Sequence, residues 1–225
     1  MRNSSLTYLA PTLIRHLSFL IRNLIKNYVA LQLMKTVIRN VNLVNEGIQK
    51  RVDILINEGV FEKISTLPIS SPNANEIDGE NLTALPGLID DQVHFREPGL
   101  THKGEIYTEA RAAVAGGVTS FMEMPNTNPP AVTIDKLEEK YSRAAQCSLA
   151  NYSFFMGTTN HNFDELMKVD KRKVCGVKIF MGSSTGDMLV DNEKELERIF
   201  SNLDKIIATH CEYDPLVKAN YEKKL

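Results

Sequence analysis

The regular alternation of apolar runs and helical stretches after Pro86 is the feature that most constrains the fold of this chain. Five runs have the length and composition of buried strands, and stretches with helical periodicity separate them. Strands that alternate with helices form parallel β/α units, which assemble as a closed barrel or as an open doubly wound sheet. The predicted strands are Leu88–Phe95, Gly117–Met124, Tyr152–Met156, Gly176–Met181 and Ile206–His210.

The helical stretches between these strands carry end signals of their own. A helix over 104–115 is expected to end at Gly116, since glycine commonly follows a helix C-terminus. Thr133 is expected to cap a helix that runs to about Gln146. The other predicted caps are Asn162, with Glu165 close to completing a capping box, and Asp191 or Asn192. The last of these helices runs to Leu203 and has Leu196, Ile199, Phe200 and Leu203 on one face.

Residues 36–84 show a different pattern, in which short apolar runs are separated by polar turns. This pattern is typical of a small β unit. Strands are predicted at Thr36–Ile38, Val41–Val44, Val52–Ile56 and Val60–Ile64, with a turn at Asn57–Gly59 and a loop at Ser70–Asn81. We therefore expect a small β domain over 35–85, followed over 86–225 by the first part of a larger α/β domain.

The start of the chain differs from the rest in its charge. No acidic residue precedes Glu46, whereas the same stretch contains Arg2, Arg15, Arg22, Lys26, Lys35 and Arg39. Leu13, Leu17, Leu20, Leu24 and Tyr28 recur at helical spacing, which predicts a basic amphipathic leader within 1–34. Such a leader is typical of a targeting peptide or a membrane-surface helix. The clean strand pattern that follows Met34 favours a different interpretation, in which translation begins at Met34.

The overall composition narrows the classes of partner. A net charge of −2 gives no global field that would attract nucleic acid. Cys147, Cys175 and Cys211 are odd in number and widely spaced, which indicates free thiols in a reducing compartment. We expect a cytoplasmic protein that takes a small-molecule substrate and binds neither nucleic acid nor a membrane.

Polar side chains follow several of the predicted strands where each strand ends. His94, Arg96, Asn126, Lys178 and His210 all lie at or just past such an end. This edge carries the active site in barrels and in open α/β sheets. Neither a dinucleotide fingerprint nor a phosphate-binding lysine loop follows any of the strands, and this favours the barrel.

Three of the strand ends suggest a metal site with nitrogen and oxygen ligands. Gln92 and His94 are two residues apart on a strand, so their side chains are expected to share a face. Lys178 lies inside an apolar run, and burial would lower the pKa of its amine and make it reactive. His210 ends the fifth strand. Each residue alone is more commonly structural, and the case for a metal depends on their common position.

Four segments of the chain resemble the dihydroorotase family of cyclic amidohydrolases. Pro86–Gly99 resembles the opening signature of the family, and Met124–Pro130 resembles its next loop. Gly176–Met181 and Ala208–Glu212 are similar to the fourth and fifth strand ends of the family. The resemblance extends from about Thr36 to the end of the chain. The wider superfamily includes dihydropyrimidinase, hydantoinase and allantoinase.

This resemblance implies a fold, a cofactor and a set of residue roles. The fold is a TIM-type (β/α) barrel of the metal-dependent amidohydrolase kind, preceded by a small β domain and truncated after the fifth strand. The cofactor is one or two zinc ions. His94 and His210 are implied as ligands, Lys178 as a bridging ligand carboxylated by carbon dioxide, and Arg96 and Asn126 as residues that bind the carboxylate of the substrate. The implied reaction is the reversible ring closure of carbamoyl aspartate to dihydroorotate.

The sequence departs from the family pattern at two places. Gln92 replaces the first histidine of a His-x-His pair, and an amide oxygen is a weaker zinc ligand than imidazole. The sixth-strand histidine and the general-base aspartate have no counterpart before Leu225, so the aspartate is expected beyond it and little activity is expected from these 225 residues alone. A homo-oligomer is expected for the full-length form. A hydantoinase or allantoinase and a non-catalytic scaffold of the same fold remain as alternatives.

Overall fold

The computed structural model describes residues 35–182 and 186–224. These residues form two compact units, with the boundary between Pro86 and Gly87. The predicted amphipathic leader, and with it His16, lies outside the described residues. No helix in the described ranges is long and apolar enough to cross a membrane.

The first unit is a five-stranded sheet. Its strands are β1 (Thr36–Asn45), β2 (Ile48–Asn57), β3 (Val60–Ser65), β4 (Asn75–Asp78) and β5 (Thr83–Ala84). The order is β3-β2-β1-β4, and β5 also pairs with β1. β1, β2 and β3 form an antiparallel meander, whereas β4 and β5 run parallel to β1.

Two details of this unit correct the expectations from the sequence. The two strands predicted at 36–38 and 41–44 are one continuous strand, which has a shift of register between Ile38 and Val41 and a positive φ of 50° at Asn40. The segment predicted as a loop at 70–81 contains β4, because the four residues of β4 pair with the start of β1. Polar composition favours a loop, but it does not prevent strand pairing along an edge.

The second unit contains five parallel strands, each followed by a helix. The strands are β6 (Leu88–Val93), β7 (Val118–Glu123), β8 (Asn151–Gly157), β9 (Gly176–Phe180) and β10 (Ile207–His210). The helices are α1 (Ile106–Ala115), α2 (Ile134–Cys147), α3 (Phe163–Lys168), α4 (Glu193–Asn202) and α5 (Asp214–Lys224). A short 3₁₀ helix at Gly186–Met188 precedes α4.

The order of these strands distinguishes a barrel from an open doubly wound sheet. The strands lie side by side in chain order, β6 to β10, without the reversal that defines a doubly wound sheet. One face of the sheet packs on the helices and forms a single apolar core. The prediction of a (β/α) barrel architecture preceded by a small β unit is therefore confirmed. Within the described residues, β6 and β10 are the two edges of the sheet.

Most predicted helix ends are correct, and two expectations at the helices are wrong. The Thr133 hydroxyl accepts the Lys136 N–H at 3.3 Å, and Asn192 caps α4. Asn162, however, makes no side-chain capping bond to α3, because its side-chain oxygen accepts the Thr159 N–H at 2.8 Å instead. Phe200 is half exposed, although it was expected on the buried face of α4 with Ile199.

The loops that follow β6 and β7 approach each other closely at Gly99. The Asn128 N–H donates to the Pro98 carbonyl at 3.1 Å. Gly99 has a φ of +81°, and a Cβ atom added there would overlap the backbone of Asn128. Gly47, in the hairpin turn between β1 and β2, has a similar φ of +73° but open space around it.

We predict that Gly99→Ala is much more destabilising than Gly47→Ala. Gly47→Ala incurs only the strain of an alanine at positive φ, about 1 kcal/mol. Gly99→Ala adds a backbone clash and should lower the free energy of unfolding by about 3 kcal/mol. Urea unfolding of the two variants measures the difference. Equal losses would show that the loops after β6 and β7 are not in close contact.

Candidate metal centre

The register of the second sheet determines which side chains face the helices. Val93 lies opposite Glu123 on β7, and Glu123 lies opposite Phe154 on β8. Across the next two strand pairs, Met156 lies opposite Val177 and Val177 opposite Ile207. The apolar members of this row pack in the core between the sheet and the helices. Side chains alternate along a strand, so the neighbouring positions project from the other face.

The sequence-predicted residues on β9 and β10 lie on that other face. Lys178 follows Val177 and lies opposite Ala208, while His210 lies opposite Phe180. The Phe180 and His210 rings are 6.1 Å apart, and the Lys178 ammonium lies 4.9 Å from the centre of the Phe180 ring. Lys178 and His210 thus flank one aromatic ring at the C-terminal edge of the sheet.

Lys178 is buried, with 3% of its surface exposed. Burial lowers the pKa of its amine, because the apolar surroundings disfavour the charged form. Among the described residues, no carboxylate forms an ion pair with this ammonium. A buried cation without a counter-charge is costly, and so the surroundings favour a neutral amine at this position.

His94 lies just past the end of β6 and is bonded to Asn126. Its Nδ1 is 2.8 Å from the side-chain oxygen of Asn126. Because that oxygen can only accept, Nδ1 carries the proton, and Nε2 of the neutral ring is the nitrogen with the lone pair. Burial lowers the pKa of His94, and the positive charge of Arg96 acts in the same direction. The neutral imidazole that results is the form that binds metals.

Gln92 lies in an irregular part of β6, where the pairing with β7 shifts between Asp90 and Val93. It is exposed, as is His94. Its backbone N–H donates to the Asp90 carboxylate at 3.1 Å. The shared face expected for Gln92 and His94 stays a prediction.

His210 also contacts an acidic side chain. Its Nε2 is 3.3 Å from a carboxylate oxygen of Glu212, and its side chain is 42% exposed. The Met181 N–H donates to the His210 carbonyl at 2.8 Å, which fixes the backbone where β9 and β10 end. Two other histidines of the second unit, His102 and His161, are exposed.

Three charged residues near this edge, Glu123, Lys140 and Arg143, were not predicted from the sequence, whereas Glu97 belongs to the Pro86–Gly99 segment that resembles the family signature. Glu97 and Glu123 are buried carboxylates, and they form ion pairs with Arg143 and Lys140 of α2. A signal for Lys140 was present: it lies between Leu137 and Ala144 at helical spacing, on the buried face of α2. Glu123 likewise occupies a helix-facing position of β7.

The donor set can be compared with the requirements of zinc. Within residues 35–182 and 186–224, no three His, Cys, Asp or Glu side chains converge as a metal site. A site on this edge would therefore need Lys178 in addition to His94 and His210. In the part of the chain that the structure describes, the Nε2 of His94 and the buried amine of Lys178 have no ion-pair partner, and they fit that requirement provided that the amine becomes an anionic oxygen ligand.

Comparisons with known proteins agree with the fold. The allantoinase of Deinococcus radiodurans is 36% identical over 148 residues, which are 65% of this chain and 33% of that protein. The dihydroorotase of Methanosarcina acetivorans is 32% identical over 191 residues, 84% of this chain and 40% of that protein. A solved structure of L-hydantoinase (dihydropyrimidinase) from Arthrobacter aurescens superimposes with a TM-score of 0.76 at 26% identity, and covers 85% of this chain and 44% of that one.

The chain spans less than half the length of these relatives. A family described as dihydro-orotase-like matches residues 82–221, which is more than half of the chain and contains the whole parallel sheet. The order of the strands, the strand-end residues and this match lead to one conclusion. The chain belongs to the dihydro-orotase-like family.

Proposed function

We propose that the protein is a zinc-dependent cyclic amidohydrolase that interconverts carbamoyl aspartate and dihydroorotate. The observation that carries this proposal is the position of Arg96. This residue lies two positions after His94, and its charge acts on the His94 ring. Dihydroorotate carries a carboxylate next to its cyclic amide, and the fork of a guanidinium pairs with a carboxylate through two hydrogen bonds.

Asn126 supports the same substrate at the neighbouring strand end. Its side-chain oxygen is engaged by His94, which leaves its amide N–H groups as donors. We propose that these donors and Arg96 together hold the substrate carboxylate. In this arrangement Asn126 also fixes the His94 ring, so that one residue connects substrate recognition with the metal ligand.

His94, Lys178 and His210 are the residues that would hold zinc. We propose that Lys178 is carboxylated: the neutral amine adds to carbon dioxide and releases one proton, which gives a carbamate with anionic oxygen donors. The lowered pKa of Lys178 supports this step. Zinc bound there supplies Lewis acidity, which polarises an amide carbonyl and makes water a better nucleophile near neutral pH. Because Gln92 stands in place of a histidine ligand, we propose a site for either one or two zinc ions.

A second candidate function is a hydantoinase or allantoinase activity. The allantoinase of Deinococcus radiodurans is 36% identical, which is a higher identity than several of the dihydroorotases reach. Hydantoin is a cyclic amide without a carboxylate, so an enzyme that acts on it has no need of a guanidinium at this position. Arg96 therefore distinguishes the two functions.

We predict that Arg96→Met lowers the affinity for dihydroorotate about 10- to 100-fold, the loss expected for a charged hydrogen bond. Hydantoin, which offers no carboxylate, should bind equally to the variant and to the unaltered protein. Isothermal titration of the zinc-loaded protein with both compounds measures the effect, and binding needs no general base. Tight binding of hydantoin or allantoin, with none of dihydroorotate, would support the second function.

We predict that Lys178→Met lowers zinc affinity at least about tenfold. Lys173→Met, an exposed lysine a few residues earlier, is the matched control and should bind zinc normally. Elemental analysis after dialysis gives the zinc content. Incubation with ¹³C-labelled bicarbonate should also give a carbamate signal in the control that the Lys178 variant lacks. An unaltered protein that takes up no zinc would point to a non-catalytic scaffold.

A further inference from the structure

Helix α2 presents two basic side chains, one turn apart, to carboxylates beneath the candidate site. Lys140 pairs with Glu123 at the end of β7. The Arg143 Nε lies 2.6 Å from a Glu97 oxygen in the loop after β6. Neither pair belongs to the metal ligands or to the substrate-binding residues described above. Each carboxylate, however, lies within three residues of one of those residues.

The Lys140–Glu123 pair is almost completely buried, with 1% of each side chain exposed. The Lys140 ammonium also donates to the Met124 carbonyl at 3.0 Å and lies 5.0 Å from the centre of the Phe154 ring. A buried ion pair commonly adds little net stability over an apolar pair of the same volume, because both charges lose their hydration. The pair is therefore expected to act by holding neighbouring groups in place. Here the Lys140 ammonium fixes the backbone at Met124, two residues before Asn126.

The second ion pair holds Glu97, the residue immediately after Arg96. Glu97 is 8% exposed. One oxygen accepts the Ile106 N–H at 2.8 Å and so caps the start of α1, where the Glu105 side chain makes no capping bond. The other oxygen pairs with Arg143. One carboxylate oxygen is thus bonded to α1 and the other to α2, and these bonds fix the backbone next to Arg96.

The segments that follow β6 and β7, which contain Arg96 and Asn126, are also bonded to each other. The Met124 N–H donates to the Val93 carbonyl at 2.9 Å, and the Asn128 N–H donates to the Pro98 carbonyl at 3.1 Å. Within the segment after β6, the Leu100 N–H donates to the Arg96 carbonyl at 3.1 Å. Arg96 itself has a φ of +70°, a conformation that a non-glycine residue adopts at a cost. The surrounding contacts must offset the free-energy cost of this backbone conformation.

We propose that Glu97, Glu123, Lys140 and Arg143 are positioning residues, which hold Arg96 and Asn126 at the spacing that a substrate carboxylate requires. The proposal rests on the proposed function for the identity of that substrate. It adds a role for α2, which contributes no residue to the site but sets the distance between two of them. Loss of the buried pair would leave the fold intact and loosen the two strand-end segments.

The test is hydrogen exchange of the whole chain, measured by mass spectrometry, on the double variant Glu123→Leu/Lys140→Met. This change replaces the buried pair with apolar side chains of similar volume, so the variant is expected to fold. We expect exchange at least about tenfold faster in peptides that cover 94–104 and 122–131. Peptides that cover β8 and β9 should exchange as in the unaltered protein.

Lys136→Met is the matched control, because Lys136 is a lysine of the same helix that pairs with Glu139 on the surface. It should leave exchange unchanged in every peptide. Arg143→Met is a second, independent variant: it should loosen 94–104 more than 122–131, and Arg143→Lys should restore part of the protection. Unchanged exchange in both segments would overturn the proposal, as would an equal increase throughout the second unit.

Substrate binding then separates this proposal from the proposed function. In the double variant, affinity for dihydroorotate should fall about tenfold while the zinc content stays the same. If the unaltered protein binds no dihydroorotate but the segment-specific exchange is seen, the proposed substrate is wrong and the positioning role holds. If dihydroorotate binds and the double variant binds it equally well, the proposed function holds and the positioning role is wrong.

Discussion

The candidate site depends on one constraint, which is the pairing of five parallel strands in chain order. With side chains alternating across the sheet, the row that includes Phe154, Met156 and Val177 packs on the helices. The intervening row, which includes Lys178 and His210, must project from the opposite face. A shift of one residue at any strand pair would exchange the two rows. The apolar core and the polar edge are therefore consequences of the same register.

Electrostatics gives this edge its chemical character. Lys178 is buried beside Phe180 with no carboxylate paired to it in the described part of the chain, and burial lowers the pKa of its amine. The pKa of His94 is lowered as well, and its hydrogen bond to Asn126 selects one tautomer. The carboxylates near these residues, Glu97 and Glu123, are paired with cations of α2 instead. Around His94 and Lys178 the edge thus presents an imidazole and an amine whose pKa values are lowered by burial, next to the guanidinium of Arg96.

Much of this arrangement could be predicted from the sequence, and the remainder could not, for physical reasons. The apolar runs predicted all five parallel strands: β9 is buried at every position and is apolar apart from Lys178, whereas β6 and β10, at the edges of the sheet, are more exposed. β4 was missed because its stability comes from pairing with β1 and not from its own composition. Asn162 has the residue type of a helix cap, but its side-chain oxygen accepts the Thr159 N–H of the preceding loop, a contact that composition does not reveal. The ion pairs of α2 join residues that are far apart in the chain. Helical periodicity places Lys140 on the buried face of α2, but it does not identify the carboxylate that pairs with it.

The central claim is that His94, Lys178 and His210 form one zinc site on the face of the sheet opposite the helices. Crystals of the zinc-loaded protein, measured on both sides of the zinc absorption edge, test this claim most directly. We predict an anomalous peak at the C-terminal edge of the sheet, in contact with both histidines and with a carbamate on Lys178. A peak bound only by His210, Cys211 and Glu212, with none near Lys178, would contradict the claim.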